Sequence, residues 1–333
     1  MPNTLMIQVS ALQGFPTLVR HFGGEPKDFL RPYNLSEDAI ESSQARIPVA
    51  QFAAILNDAA TSLSVLEFGL LLGSQQDFGA LGELGFLLRS AGTLNNAIAL
   101  SNSYMSYHNQ SEIWQLERGS NTAVLNRYDL LRNKPNTNQY TELAFATCIK
   151  LLKLILGPLF SGATLQLRHS AIAPQSAYQK VLGIDVVFNT EQDRLSFPST
   201  LLDSAFCFAH PKDAVFSQNQ VLQYARQHRR SITEVVTSLI EQLLGSTQPS
   251  LEFIARQLDM HKRTLQRSLA REGTVYKTLL NNIRMEKAKW YLHQSDIDIT
   301  LLAMILGYQE VANFSRAFKR HTGQSPRQYR QTP

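Results

Sequence analysis

Residues 258–273 read LDMHKRTLQRSLAREG, and residues 306–323 read LGYQEVANFSRAFKRHTG. Leu265, Arg267 and Leu269 of the first stretch return 49 positions later as Phe314, Arg316 and Phe318. Positions four apart fall on one face of a helix, so each apolar pair points inward and each arginine points away from it. In the first stretch Arg263, Gln266 and Arg267 share the outer face. In the second, Gln309, Ala312, Asn313 and Arg316 do.

Each stretch is preceded by a short apolar-periodic run. Ser250 is placed to cap "LEFIARQL", whose inner face is Leu251, Ile254, Ala255 and Leu258. Asp298 is placed to cap "ITLLAMIL", and Gly307 supplies the following turn. Helix, tight turn and a second helix with a basic, amide-bearing outer face is the pattern of a helix-turn-helix. Arginine matches the O6/N7 edge of guanine, and asparagine or glutamine matches N6/N7 of adenine.

Between the two copies runs VYKTLLNNIRMEKAKWYLH, residues 275–293, with Tyr276, Leu279, Leu280, Ile283 and Leu292 on a helical stripe. As a helix it is a rod of roughly 28 Å at about 1.5 Å per residue. Major grooves on one side of B-DNA recur about every 34 Å. A connector of this length holds two reading helices about one turn of DNA apart, which gives the repetition a physical purpose. Met285 and Trp290 on the connector read as core residues.

The charge distribution agrees. The chain has 333 residues and a net charge of +5. Residues 250–333 carry 14 Lys/Arg against 7 Asp/Glu, and the rest is slightly acidic. A basic terminal module beside a near-neutral larger one suits a polyanion partner for the module alone.

Upstream, "PVAQFAAILNDAATSL", "TLNNAIALSNSYMSYH" (with Thr93 as N-cap) and "QYTELAFATCIKLLKLIL" read as helices. "EIWQLERGSNTAVLNRYD" alternates around a Gly-Ser-Asn turn and reads as a β-hairpin. "ATLQLRHSA" and "DVVFNTEQDRLSFP" read as further strands. The polar stretch from residue 206 to 230 marks a linker. A capped amphipathic helix follows from Ser231 to Gly245. The expected architecture is an α+β N-terminal domain with antiparallel strands, residues 1–205. A linker at 206–230 leads to an all-α domain, 231–333, of two helix-turn-helix motifs joined by a long connector helix.

"TLQRSL", Arg284-x-x-x-Ala288, "ILGY", "NFSRAFKRHTGQSP" and "PRQYR" together resemble the DNA-binding domain of the AraC/XylS family of bacterial transcription regulators. The resemblance spans about 100 residues. It departs from the family pattern at Asp259, where the first turn usually has glycine, and at Leu301, where an acidic residue is common. Asp tolerates a left-handed turn, and Leu301 marks a contact with the other domain. "FGLLLG", "DFGALGELGFLLRSAGTLNNAI", "RHSAIAP", "YQKVLGIDVVF" and "RLSFPSTLL" resemble the arabinose-binding-type sensor domain of the ToxT-like and ornithine-utilisation-regulator-like subset.

The resemblance implies a regulator of transcription, usually an activator, that binds double-stranded promoter DNA, works with RNA polymerase and answers a small-molecule effector. The DNA contacts it implies are His261, Lys262, Arg263, Gln266, Arg267, Gln309, Asn313, Arg316, Lys319 and Arg320. For the effector, the carboxylate- or amphipath-binding candidates are Lys27 and Arg31, with His21 nearby, and His169. Each also reads as a solvated or structural residue. A homodimer is compatible with all of this.

No Ser/His/Asp, His-x-Glu or Cys/His spacing points to catalysis, to a metal or to a cofactor. Cys148 and Cys207 are too far apart for a redox motif. The start of the chain lacks a signal-peptide pattern, and no apolar run reaches the length of a membrane span. The expectation is a cytoplasmic, nucleoid-associated protein. Two other functions fit the same domains: a constitutive DNA-binding regulator whose N-terminal domain only dimerises, and an enzyme targeted to DNA, which would need a nucleophilic cysteine in a reactive setting, whereas Cys148 sits in an apolar helix.

Overall fold

The computed structural model describes residues 5–41, 45–89, 91–131, 136–207, 232–244, 249–258 and 260–331. Ser231, Gly245, Asp259 and all but the first two residues of the expected linker lie outside that set.

The N-terminal domain is α+β. β1 (Met6–Gln8) and β2 (Arg46–Pro48) form a small antiparallel ribbon. Around it lie the short helices α1 (Phe15–His21), α2 (Pro26–Leu30) and α3 (Glu37–Glu41), and the longer α4 (Val49–Ser62). Next come α5 (Phe68–Gln75), α6 (Glu83–Arg89) and α7 (Leu94–His108). The Thr93 hydroxyl accepts from Asn96 N and caps α7 as expected.

The hairpin is β3 (Glu112–Arg118) and β4 (Thr122–Asp129). α8 (Asn138–Leu156) follows, then β5 (Thr164–Gln166), α9 (Gln175–Leu182), β6 (Asp185–Val187) and β7 (Asp193–Pro198). The five-stranded sheet has the order β3-β4-β7-β5-β6. It is antiparallel except for β5 and β6, which pair in parallel. The expected antiparallel strands are otherwise met, and this one pair is the exception. Its cause is α9, a helical crossover between the two strands, which returns the chain in the same direction.

α5 lies almost backbone to backbone on α8. A Cβ on Gly69 would stand 2.0 Å from the Gln139 carbonyl oxygen, and one on Gly73 2.5 Å from that of Leu143. Two glycines one turn apart are therefore what "FGLLLG" supplies to this contact.

The C-terminal domain is helical: α10 (Ile232–Leu243), α11 (Leu251–Gln257), α12 (Lys262–Arg271), α13 (Tyr276–Gln294), α14 (Ile299–Ile305), α15 (Val311–Thr322) and α16 (Pro326–Gln331). Ser250 caps α11 through Phe253 N, and Asp298 caps α14 through Thr300 N and Leu301 N.

Helix α13 serves two cores. Ile283, with Tyr276, Leu279 and Leu280 partly buried beside it, packs with α10, α11 and α12. Met285, Ala288 and Leu292 pack with Phe314 and Phe318 of α15. This second core is continuous with apolar residues of the N-terminal domain, and Leu301 packs against it. Arg284 fixes the turn between α14 and α15. Its Nη2 donates to the Gly307 carbonyl at 3.1 Å, and its guanidinium lies 4.8 Å from the Tyr308 ring centre. No described helix is long and apolar enough to cross a membrane.

Candidate functional site

Helices α12 and α15 are built alike. Leu265 and Leu269 are fully buried beneath α12, as are Phe314 and Phe318 beneath α15. Burying a Leu or Phe side chain contributes roughly 1.5–3 kcal/mol, so these pairs fix which face each helix turns outward. His261, Lys262, Arg263, Gln266 and Arg267 are all exposed on or beside α12. Gln309, Asn313, Arg316, Lys319 and Arg320 are exposed on or beside α15.

The two outer faces differ in detail. Arg316 Nη2 donates to Asn313 Oδ1 at 2.6 Å, and Asn313 Nδ2 donates to Glu310 Oε2 at 3.3 Å. This chain holds the guanidinium in place on a solvent-facing surface. Lys262 instead donates to Glu252 of α11, and that hydrogen bond holds the Glu252 carboxyl below its usual range. Arg263, Gln266 and Arg267 are exposed around it.

The N-terminal domain holds a partly open cavity of about 130 Å³ between α6, α7, α8 and β3. Its wall is mostly aliphatic, with Leu88, Ile98, Leu143, Leu152 and Ile155 prominent. Its polar residues are largely paired with one another. Gln76 donates to the Ala11 and Gln13 carbonyls and accepts from Thr147. Asn109 donates to the Tyr140 hydroxyl at 2.6 Å. Glu112 accepts from Arg127 Nε at 2.6 Å and from Tyr140 at 3.1 Å.

His108 Nδ1 is 3.0 Å from Gln8 Oε1, and burial lowers its pKa to about 4, so the ring is neutral at pH 7. Burial in the same wall pushes the Cys148 thiol up to about 12. It is not a thiolate nucleophile at neutral pH.

The family profile for the arabinose-binding N-terminal domain of AraC transcription regulators matches residues 23–206, and one for a helix-turn-helix domain matches residues 254–332. The chain belongs to the AraC family of transcription regulators. The HTH-type transcriptional regulator VirS of Mycobacterium tuberculosis is 30% identical over 98% of this chain and 96% of its own length. The ornithine utilization regulator of Pseudomonas aeruginosa is 23% identical over 98% and 97%. Among solved structures, the transcriptional regulator CdpR of P. aeruginosa aligns with 92% of this chain and 96% of its own at 24% identity, with a TM-score of 0.47. The family and these relatives are regulators of transcription rather than enzymes, and this chain is a DNA-binding regulator.

The effector candidates fall elsewhere than the cavity. Lys27 and Arg31 are exposed, Lys27 standing 3.9 Å from Glu25, and His21 is exposed as well. None of the three is in the cavity wall. His169 is half-buried with Nδ1 bonded to the Ser170 carbonyl at 2.8 Å, and its Nε2 is 3.9 Å from the Glu142 carboxyl group. It too lies outside the wall. Charge can be read from sequence, whereas a cavity arises from the packing of elements far apart in the chain, here from Ile7 to Ile155. Thr147 and Gln76 share no local pattern and meet only in the fold.

Proposed function

We propose that this regulator reads promoter DNA with two helix-turn-helix units in one chain and answers a small molecule held in its N-terminal domain. The first unit is α11–α12 and the second α14–α15, with α12 and α15 as the reading helices and α13 as their connector. The observation that carries this reading is the matched pair of outer faces, each with an exposed arginine and amide above a fully buried apolar pair. At 19 residues, α13 spans roughly 28 Å, close to the ~34 Å between successive major grooves on one side of DNA.

The sensor reading is supported by the cavity, which tethering or dimerisation alone does not require. The activator reading, with RNA polymerase as a partner, follows from the resemblance of the DNA-binding domain to its family. The ten exposed residues of α12, α15 and their flanks are the proposed DNA contacts. A homodimer would double the half-sites without altering how one chain reads its own pair.

Footprinting of the full chain on its own promoter tests the arrangement. Two protected half-sites about one helical turn apart are expected per chain, with affinity falling steeply as salt rises, because phosphate contacts release counterions. A single protected half-site per chain, or binding insensitive to salt, overturns it.

A further inference from the structure

We infer that the N-terminal cavity selects an uncharged, mainly apolar ligand whose one hydrogen-bond acceptor meets the indole N–H of Trp114. This rests on the reading of that cavity as the effector site and names the chemistry it accepts.

Trp114 lines the cavity and is 7% exposed, and its Nε1 is buried with no hydrogen-bond partner. Every other buried polar side chain described in the wall has one, as set out above. An indole N–H left unpaired in an apolar setting costs roughly 1–3 kcal/mol. A ligand carbonyl, ester or ether oxygen would remove that cost.

Charge is excluded by the same wall. No lysine or arginine is among the described lining residues. Arg127 lies behind Glu112, with its charge matched by that carboxylate at 2.6 Å. His108 is neutral. A carboxylate entering here would be desolvated without a counter-charge. A sugar fares little better: beyond the indole N–H and the groups already paired with one another, only the part-buried Ser101 and Asn102 add hydroxyl or amide groups to the described wall, too few for several hydroxyls against walls that are otherwise mostly aliphatic. The volume sets the scale: an engineered apolar cavity of roughly 150 Å³ holds benzene, so about one ring fills this one, with a short substituent reaching its open side.

Four probes of matched size separate these demands. Acetophenone has a ring and a carbonyl. α-Methylstyrene replaces the carbonyl oxygen by CH2. Benzoate adds a charge, and L-arabinose presents hydroxyls. Binding to the full chain is followed by NMR of its two indole N–H groups, those of Trp114 and Trp290, and of the Leu and Ile methyls of the wall.

Acetophenone is expected to move the Trp114 indole proton downfield, and α-methylstyrene is not. Trp114→Phe should weaken acetophenone about three- to tenfold while α-methylstyrene stays within about twofold, which also shows the variant folded. Benzoate and arabinose should leave the wall methyls unmoved at concentrations where acetophenone saturates. Tighter binding of benzoate or arabinose, or no downfield shift of the Trp114 proton with bound acetophenone, overturns the inference while leaving the cavity as a binding site. If no probe moves the wall methyls, or if Ala97→Phe in the wall leaves binding unchanged, the cavity itself is not the site and both readings fall.

Discussion

Gln115 Nε2 donates to Met304 Sδ across 3.2 Å, joining β3 of the N-terminal domain to α14 of the DNA-binding domain. Alternate residues of a strand face opposite sides, so Gln115 turns to α14 while its neighbour Trp114 turns to the cavity. One strand is thus the wall of the cavity on one side and the seat of α14 on the other. The apolar core beneath α15 is continuous with that of the N-terminal domain, whereas the core beneath α12 is separate. The N-terminal domain and the second helix pair should therefore unfold together. Replacing the part-buried Leu301 and the 44% exposed Met304 by Asp removes their apolar contacts and sets two like charges at the edge of this seam. Calorimetry should show their shared transition splitting in two in Leu301→Asp/Met304→Asp. An unchanged profile would mean that the seam contributes nothing to cooperativity.

The Glu112–Arg127 pair is a second structural commitment. Both side chains are at least nine-tenths buried, and Arg127 also donates from Nη1 to Thr141 at 3.3 Å. The neighbouring carboxylate raises the Arg127 pKa despite burial. Removing one partner of a buried pair leaves a bare charge and costs roughly 3–5 kcal/mol, whereas replacing both with apolar side chains is often neutral. Glu112→Gln and Arg127→Met are each expected to lose stability of that order in urea titrations. The double variant Glu112→Leu/Arg127→Met should recover at least half. A double variant as unstable as the sum of the two would show that the charges do not act as a pair.

How much of this was legible in the sequence depends on how local the cause is. The caps at Thr93, Ser250 and Asp298 were readable because a cap is a residue and the three after it. The inward Leu265/Leu269 and Phe314/Phe318 pairs and the β3–β4 hairpin were readable through their periods. The parallel pairing of β5 with β6 was not, since it is set by α9 folding across the sheet. Nor was the cavity, whose Gln76–Thr147 contact joins residues with no shared local pattern. Leu301 gave a partial signal: an apolar residue in a polar position pointed to the other domain without saying which element of it.

Glu142 gives a pH prediction with a definite sign. It is 1% exposed, and burial raises its pKa from 4.5 to about 8, against the lowering effect of the 2.5 Å bond from the Tyr178 hydroxyl. The folded state then holds a proton that the unfolded chain releases above about pH 4.5. The resulting stabilisation is complete below that pH, declines as pH rises and is gone above about 8. His108 acts oppositely: its pKa is lowered from 6.5 to about 4, so its contribution is present above 6.5 and is lost as pH falls towards 4. Between pH 6.5 and 8 the Glu142 effect stands clear of that of His108. Wild-type stability should fall across that interval, and Glu142→Gln should flatten the slope. An equal slope in both proteins would show that Glu142 is ionised in the fold at neutral pH.

Arg267 and Arg316 test the proposed reading of DNA most directly. They occupy matching positions on α12 and α15, both exposed, each between two buried apolar residues of its own helix. Their surroundings differ: Arg316 is held by Asn313 at 2.6 Å, and no such partner is described for Arg267. If each guanidinium binds a guanine edge in two-point fashion, Arg267→Ala and Arg316→Ala should each lose about 1–3 kcal/mol of specific binding. Each loss should localise to a different half-site, about one helical turn from the other. Lysine keeps the charge but not the fork, so Arg316→Lys should behave nearly as Arg316→Ala on the specific site while retaining non-specific affinity. Asn313→Ala should weaken the same half-site as Arg316→Ala, and the two losses should fall short of additive. Footprints that fade evenly across both half-sites in every variant, with Lys replacing Arg at no cost, would make these two residues phosphate anchors and move the base reading to their neighbours Gln266 and Gln309.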